Sequence, residues 1–208
     1  MWDTAENKLR EVLNELGVEY FEAKGEAAFY GPKLDVEVKP AIGPEITLST
    51  CQLDFLLPRR FELTYVDSKG EKQTPVVLHR AIFGTFDRFT AFIIEETKGI
   101  FPLWLSPEQI VVVPVHHEKH VDYAQKVVDL LASKKVRVKL DARNEKLGYR
   151  IREAQTHKVP MQVVVGDGEV ENETVTIRRH GSKEAVTMPL NDFVNAVMSE
   201  IENKGVTK

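Results

Sequence analysis

The sequence of 208 residues has a single cysteine, Cys51. One cysteine cannot form an intramolecular disulfide, which excludes the disulfide-rich class of secreted domains and favours a reducing, cytoplasmic setting. No apolar run approaches the roughly 20 residues that a membrane-spanning helix needs. No basic segment followed by an apolar run, the pattern of a secretory signal, stands at the N-terminus. We therefore expect a cytoplasmic protein with no membrane partner.

An overall excess of positive charge is also lacking, since 28 Lys and Arg stand against 32 Asp and Glu, a net charge of −4. The distribution is nevertheless uneven. Between residues 134 and 158, nine Lys and Arg stand against three carboxylates, a local net charge of +6. We call this segment the basic run. It is typical either of a solvated helix face or of a surface that contacts phosphates, and composition does not choose between them.

The first part of the chain predicts helices and hairpins. Apolar residues at helical spacing through Leu9 and Leu16 predict a first helix, with a capping box at Asp3 and Glu6 and a stop at Gly17. Turn residues then separate extended segments, and helical periodicity returns after Gly84. The predicted strands are 33–39 with 45–55 as one pair and 61–66 with 74–80 as a second hairpin. This order indicates an α+β fold with an antiparallel sheet.

The pattern changes near residues 101–107, where two prolines bracket a short aromatic segment. Beyond it, strands and helices alternate, which predicts an α/β domain with a largely parallel, mixed sheet. We therefore expect two domains, at 1–101 and 106–208. The elements predicted for the second domain are 109–115, 118–132, 136–140, 146–156, 161–165, a hairpin of 174–179 with 184–188, and a helix at 190–203.

Three segments of the first domain carry side chains suited to a ligand site. A Gly-Pro pair predicts a rigid turn that fixes Tyr30 and Lys33 on either side, and a lysine so held suits a phosphate. Alternation places Gln52 and Asp54 on one face of their strand, as a pocket lining or as an ordinary polar face. A further strand ends at His79, and Arg88 lies in the first turn of the following helix, an arrangement suited to a nucleoside triphosphate. One histidine alone cannot hold zinc.

Three segments of the second domain are also candidates. His116 and His120 are four residues apart but straddle a strand end and a helix start, so we do not assign them a metal. Asn144 is interpreted either as a base-edge reader or as a helix N-cap, with Arg150 and Arg152 on the adjoining helix. Glu169 lies where a predicted strand leads into a turn. We interpret it either as an exposed carboxylate that could accept a hydrogen bond from a base amino group, or as part of a plain turn.

Taken together and in order, these segments resemble the threonyl-tRNA synthetase family over nearly the whole chain. The matching strings are AFYGPK, TCQLDFLLPRRFELTYV, VVLHRAIFGTFDRF, FPLWLSP, DARNEKLGYRIREAQ and VVVGDGEVEN. The resemblance implies the last part of a class II catalytic domain, including its motif 3, followed by an anticodon-binding domain. It implies a ligase that activates threonine with ATP and Mg²⁺ and transfers it to threonine tRNA.

The resemblance also implies residue roles. Arg88 matches the ATP-binding arginine, Lys33 a position near the adenylate phosphate, and Tyr30 and Gln52 positions that line the threonine site. His79 matches one of three zinc ligands, and zinc would help the site to tell threonine from the nearly isosteric valine. The residues that match anticodon contacts are Asn144, Arg152, Glu169 and Arg178.

This sequence departs from the family pattern in what precedes those segments. Motifs 1 and 2, the motif-1 dimer interface, the editing region and the other two zinc ligands have no counterpart here, and Cys51 does not align with the zinc cysteine. We therefore expect a site that is incomplete for catalysis, and a homodimer only for the complete enzyme. The alternative is a non-catalytic module that binds tRNA or a similar RNA through the second domain.

Overall fold

The structure is a computed structural model and describes residues 1–205. Its internal contacts divide the chain into unit 1, Met1–Glu96, and unit 2, which begins at Thr97. No helix within the described residues is long and apolar enough to cross a membrane.

Unit 1 is built on a three-stranded antiparallel sheet with the order β1-β2-β5. A separate pair of two-residue strands, β3 and β4, forms a small hairpin. The elements in chain order are α1 (Trp2–Glu15), β1 (Lys33–Val38), β2 (Ile46–Asp54), α2 (Leu57–Arg60), β3 (Tyr65–Val66), β4 (Lys72–Gln73), β5 (Val77–Ala81) and α3 (Phe86–Glu96).

Two predictions for unit 1 are wrong. The expected hairpin of 61–66 with 74–80 is confined to β3 and β4, because β5 pairs with β2 instead. The expected capping box at Asp3 is absent, because α1 begins at Trp2 with Met1 as its N-cap and with no side-chain cap bond. The stop at Gly17 is confirmed: Gly17 has a positive φ of 63°, which suits glycine.

Unit 1 buries little apolar surface of its own. Leu48 is the one large hydrophobic side chain of residues 1–96 in the buried core. Neither α1 nor α3 has a buried residue, although both are amphipathic. Phe29 and Phe86 are more than four-fifths exposed, which is unusual for phenylalanine side chains in a well-packed domain.

Unit 2 is a mixed five-stranded sheet with the order β10-β9-β8-β6-β7. Strands β6, β7 and β8 are parallel, and β9 and β10 continue the sheet in antiparallel pairing. The predicted antiparallel sheet followed by a mixed sheet is thus confirmed. The elements are β6 (Ile110–Pro114), α4 (Val121–Ser133), β7 (Val138–Leu140), α5 (Leu147–Thr156), β8 (Met161–Val165), α6 (Asp167–Asn172), β9 (Thr174–Arg179), β10 (Ala185–Pro189) and α7 (Leu190–Glu202).

Helices cover both faces of this sheet, which explains why β6 and β8 are apolar at every position but one and buried throughout. The larger core joins α4 and α7 to one face, with Val127 and Phe193 at its centre. A smaller cluster joins Ala154 of α5 to Val111 and Val113 on the other face. Such two-sided burial is typical of parallel strands, and it gives unit 2 a core of its own.

Candidate functional site

Three candidate residues of unit 1 form one row across its sheet. Antiparallel register places Lys33 opposite Gln52, and Gln52 opposite His79. The Tyr30 hydroxyl donates a hydrogen bond to Gln52 Oε1 at 2.6 Å. The Tyr30 ring also meets the His79 ring edge to face, with centroids 6.0 Å apart. The structure therefore brings these four side chains together on one face.

The turn beside this row differs from the predicted one. The Gly31 N–H donates to the Ala28 carbonyl at 3.2 Å, so the turn is centred on Phe29 and Tyr30, before the Gly-Pro pair. Gly31 and Pro32 already run along β2, since the amides of Leu53 and Phe55 donate to the carbonyls of Pro32 and Tyr30. A Cβ on Gly31 would lie 2.0 Å from the Leu53 oxygen, so this backbone approach requires glycine.

The lysine of the row is held by a carboxylate. The Lys33 ammonium forms an ion pair with Asp35, and Asp35 Oδ1 accepts from the Thr50 hydroxyl at 2.7 Å. The hydrogen bond to Asp35 raises the pKa of Lys33. Burial alone would raise the pKa of Asp35, but the bonds from Lys33 and Thr50 outweigh burial and lower it. Lys33 is thus a fixed positive charge on this face.

His79 has a buried partner that the sequence prediction did not assign to it. Its Nε2 lies 2.9 Å from Asp54 Oδ2, and Asp54 Oδ1 accepts from the amides of Leu56 and Leu57, both at 2.9 Å. Carboxylates commonly orient metal-binding histidines in this way, so the pair suits a histidine that offers its other ring nitrogen, Nδ1. Within residues 1–205, no group of three or more His, Cys, Asp or Glu could hold a metal ion.

Arg88 lies away from the row. It is in the first turn of α3, where its amide donates to the Thr85 hydroxyl at 3.2 Å and its guanidinium approaches the Thr47 carbonyl at 3.4 Å. Thr47 and Gln52 are five residues apart on β2, which corresponds to about 16 Å at the rise of a strand. Arg88 and the row therefore lie towards opposite ends of one strand.

In unit 2, the parallel strands place two candidates at one edge of the sheet. Asn144 follows β7, and Glu169 follows β8, so both lie beyond carboxyl ends of parallel strands. Loops at that edge are the usual ligand sites of open α/β sheets. Asn144 is exposed. The interpretation of Asn144 as an N-cap is wrong, because Lys146 is the N-cap of α5.

Glu169 lies in a short helix, α6, where a turn was predicted. Its Oε2 accepts from the Gly166 amide at 2.8 Å, which closes a capping box, and its Oε1 accepts from the Thr176 hydroxyl at 2.7 Å. Burial alone would raise its pKa, but these bonds outweigh burial and lower it. The carboxylate is thus half-buried and already bonded, and the prediction of a freely exposed one is wrong.

Arg178 and Arg152 border the same face of the sheet as Glu169. Arg178 is two residues beyond Thr176 on β9 and pairs in register with Gln162 of β8. Gln155 of α5 donates to Gln162 Oε1 at 2.7 Å, which places the end of α5 over that face. Arg152 lies one helical turn before Gln155 and is exposed. Tertiary packing thus gathers candidates that are distant in sequence.

The basic run does not form one surface. Lys134 and Lys135 precede β7 and Lys146 follows it, so they lie beyond opposite ends of that strand, whereas Arg152 lies within α5. Several other cations of the run are engaged internally: Arg137 with the carbonyls of Ser106 and Trp104, Lys139 with Glu108, Arg143 with Asp141 and Glu153, Arg150 with carbonyls, and Lys158 with the Lys98 carbonyl.

The two spaced histidines have structural partners. His116 Nδ1 accepts from the amides of Glu118 and Lys119 at 3.3 and 3.4 Å. His120 is buried, and its Nδ1 accepts from the His116 amide at 3.0 Å. The proton of His120 therefore resides on Nε2, which donates to Asp167 Oδ1 at 3.1 Å. These bonds organise the loop that precedes α4.

Comparison with known proteins agrees with this division. Residues 2–97 match the tRNA synthetase class II core domain (G, H, P, S and T), and residues 109–200 match the anticodon binding domain. The chain is 53% identical over 204 residues to the threonine–tRNA ligase of Streptococcus pneumoniae (strain Hungary19A-6), covering 98% of this chain and 32% of that protein. It therefore spans about a third of the length of that curated relative.

Two solved structures are similar over nearly the whole chain. One is the RNA binding domain of threonyl-tRNA synthetase from Cryptosporidium parvum Iowa II, with a TM-score of 0.86 and 34% identity over 95% of this chain and 50% of that chain. The other is a protein assigned as a threonyl-tRNA synthetase from Aeropyrum pernix, with a TM-score of 0.75 and 31% identity over 97% of this chain and 49% of that chain.

Proposed function

Because the chain belongs to the threonyl-tRNA synthetase family, we propose that it is the part of a threonine–tRNA ligase that completes the active site and reads the anticodon. The catalytic domain would include residues 1–101, and therefore all of unit 1. The anticodon-binding domain would be residues 106–208, within unit 2. The observation that carries the proposal is the row of Lys33, Gln52 and His79 with Tyr30, in a chain whose residues 109–200 match the anticodon binding domain.

The row is suited to holding threonine beside a nucleotide phosphate. The Tyr30 hydroxyl and the Gln52 amide are neutral polar groups that can fix the orientation of a small amino acid. Lys33 is a point charge at the adjoining strand, held by Asp35, and would offset negative charge at the α-phosphate as the threonine carboxylate attacks and pyrophosphate leaves. Arg88, further along β2, would bind the ATP that carries Mg²⁺.

His79 would supply one of the ligands to zinc, and zinc would bind the amino and hydroxyl groups of threonine. The fit rests on the Asp54–His79 pair, which orients the ring. The remaining ligands would have to come from residues other than those described. We propose accordingly that residues 1–208 alone do not perform the complete reaction, and that a homodimeric, cytoplasmic enzyme contains them.

In unit 2, we propose that Asn144, Arg152, Glu169 and Arg178 read the anticodon of threonine tRNA. Unstacked loop bases are recognised by hydrogen bonds to their edges, while cations contact phosphates. Two different carboxylate oxygens of Glu169 are already occupied, so a base amino group would share an oxygen with Gly166 or Thr176. The exposed Lys146 and Arg152 would contribute phosphate contacts.

A non-catalytic RNA-binding module is the second candidate. The observation that favours it is the difference between the units: unit 2 has two packed faces, whereas unit 1 buries one large hydrophobic side chain. In that case the row in unit 1 would have no substrate.

The experiment that tests anticodon reading, on which both candidate functions rely, is a competition titration of the chain at physiological salt, with threonine tRNA against the same tRNA carrying altered anticodon bases. A loss of about 1–3 kcal/mol per altered base, the usual cost of one mismatched contact, supports anticodon reading. Equal binding with a steep salt dependence would indicate phosphate contacts alone and would contradict the residue assignments. Binding of neither tRNA would contradict both functions.

A further inference from the structure

Arg150 is buried in α5, with 1% of its surface exposed, yet it has no carboxylate partner among the ion pairs of the described residues. Its guanidinium instead donates to four backbone carbonyls. Nη1 bonds the Asp141 oxygen at 2.7 Å, Nη2 bonds the oxygens of Pro114 at 2.8 Å and Val115 at 3.3 Å, and Nε bonds the Glu145 oxygen at 3.1 Å. A buried cation without such bonds would be strongly destabilising.

These four carbonyls belong to three different segments at one edge of the sheet. Pro114 ends β6 and Val115 follows it, Asp141 follows β7, and Glu145 lies in the loop that leads into α5. Carbonyls beyond the ends of strands have lost their ladder partners and need other donors. The planar guanidinium offers five donors in a fixed geometry, so one side chain joins all three segments.

The loop that carries Asn144 is therefore fixed on both sides of that residue. Asp141 precedes Asn144 and Glu145 follows it, and Arg150 bonds the carbonyls of both. The Glu145 amide also donates to the Arg143 carbonyl at 2.8 Å. Asn144 itself is exposed, so its place in the unbound protein depends on this backbone rather than on packing.

We propose that Arg150 is a positioning residue for anticodon reading: it fixes the 141–145 loop so that Asn144 meets its base in one geometry. This inference rests on the proposed function of unit 2. Arg150 is buried and touches no RNA, and it acts through the loop. Preorganisation of this kind improves binding to the matching base because less ordering remains to be done on binding. A phosphate contact made by the long, flexible side chain of Lys146 tolerates small shifts of the loop.

The test uses the whole chain with Arg150→Lys and Arg150→Met. Lysine keeps the charge but concentrates its donors at one point, and methionine keeps an apolar stem with no donor. Phe193→Leu is the matched control, because it loosens the core on the opposite face of the sheet. Two quantities are measured: hydrogen exchange of the Glu145 amide, and the ratio of Kd values for threonine tRNA altered at the anticodon and unaltered.

We expect the Glu145 amide to exchange faster in both Arg150 variants. We also expect the Kd ratio to fall at least about fivefold, which corresponds to the lower limit of the cost of one mismatched base. Methionine should have the larger effect, and Kd for the altered tRNA should stay within about twofold. Phe193→Leu should leave the Kd ratio unchanged even though it loses as much stability as the Arg150 variants.

An unchanged Kd ratio in both Arg150 variants, when the wild-type ratio is well above one, would overturn the proposal and leave Arg150 a purely structural residue. A fall of the ratio in Phe193→Leu as well would also overturn it, since any loss of stability would then suffice. A wild-type ratio of one would instead show that the proposed anticodon reading has failed.

Discussion

The Nε2 atom of His79 lies 2.9 Å from Oδ2 of Asp54, a carboxylate with no exposed surface. Oδ1 of the same carboxylate accepts the amides of Leu56 and Leu57, so Asp54 is fixed by the backbone that follows β2. The ring of His79 is therefore held from a rigid part of the sheet, and its Nδ1 is directed away from that bond.

On the proposal that His79 binds zinc in a complete threonine–tRNA ligase, Asp54→Asn should weaken zinc binding there by about 10- to 100-fold, the usual cost of losing such a partner. Asparagine keeps an acceptor for the two amides, so the fold should persist. The measurement is zinc affinity by competition with a chelator. Asp54→Ala should lower thermal stability as well, since both amides lose their acceptor. Equal zinc affinity in Asp54→Asn and wild type would contradict the orienting role.

Gly31→Ala should destabilise the β1–β2 edge of unit 1. The new Cβ would overlap the Leu53 oxygen, so the two segments must separate, at a cost of about 1–3 kcal/mol for an overpacked site. Hydrogen exchange of the Leu53 and Phe55 amides measures this loss directly. Gly148→Ala is the control, because nothing lies within 4 Å of its added Cβ. Equal exchange in Gly31→Ala and wild type would show that the backbone accommodates a methyl group.

The ion pair of Arg143 with Asp141 makes the stability of unit 2 depend on pH. The two hydrogen bonds from Arg143, at 2.7 and 2.8 Å, hold the pKa of Asp141 below its ordinary value. A carboxylate whose pKa is lowered by folding stabilises the protein above its unfolded pKa of about 3.9, and this contribution is lost as the pH falls through the folded pKa.

We therefore expect Asp141→Asn to be less stable than wild type at pH 7, with a difference that shrinks as the pH falls below about 4. Urea unfolding at several pH values measures this difference when it is followed through the fluorescence of Trp104 in chains that also carry Trp2→Phe, since Trp2 is the other tryptophan. A difference that stays constant from pH 7 to pH 2 would show that the effect is one of shape and not of charge.

Substitutions of Glu169 can distinguish a role in capping α6 from a role in recognising an anticodon base. Glu169→Ala removes the acceptor of the Gly166 amide and the Thr176 hydroxyl, so it should cost about 0.5–2 kcal/mol, as other lost helix caps do. Glu169→Gln keeps an acceptor oxygen and should cost less. If Glu169 accepts from a base, Glu169→Gln should reduce discrimination between anticodons in the tRNA titration while the unfolding midpoint changes little. Full discrimination in both variants would confine Glu169 to capping.

The two units should differ in resistance to limited proteolysis. Unit 1 has exposed aromatic side chains and one large hydrophobic residue in its core, whereas unit 2 has packed cores on both faces of its sheet. Cleavage is faster where local unfolding is easier. Trypsin cleaves after lysine and arginine, so it should remove unit 1 and leave a fragment that begins at Gly99, after Lys98. Survival of unit 1 with loss of unit 2 would contradict this expectation.

The sequence by itself determined most of the elements and the family of the chain. Local signals sufficed there: the segment 161–165, apolar except at Gln162, is β8 at the predicted bounds, and Gly17 ends α1 as its freedom at positive φ suggests. Even so, local periodicity gave β5 the wrong partner, because strands pair through contacts between residues far apart in sequence.

Only the tertiary structure decided what the candidate side chains contact. The register of β1, β2 and β5 aligns Lys33, Gln52 and His79. This alignment cannot be predicted from the spacing of residues within any one segment. The same holds for charge. Arg150 and Lys146 are equivalent as positive charges in the basic run. In the structure, Arg150 is buried and donates to backbone carbonyls, whereas Lys146 is exposed. Burial and pairing depend on which distant segments pack together, and a linear pattern records only the chain's own periodicity.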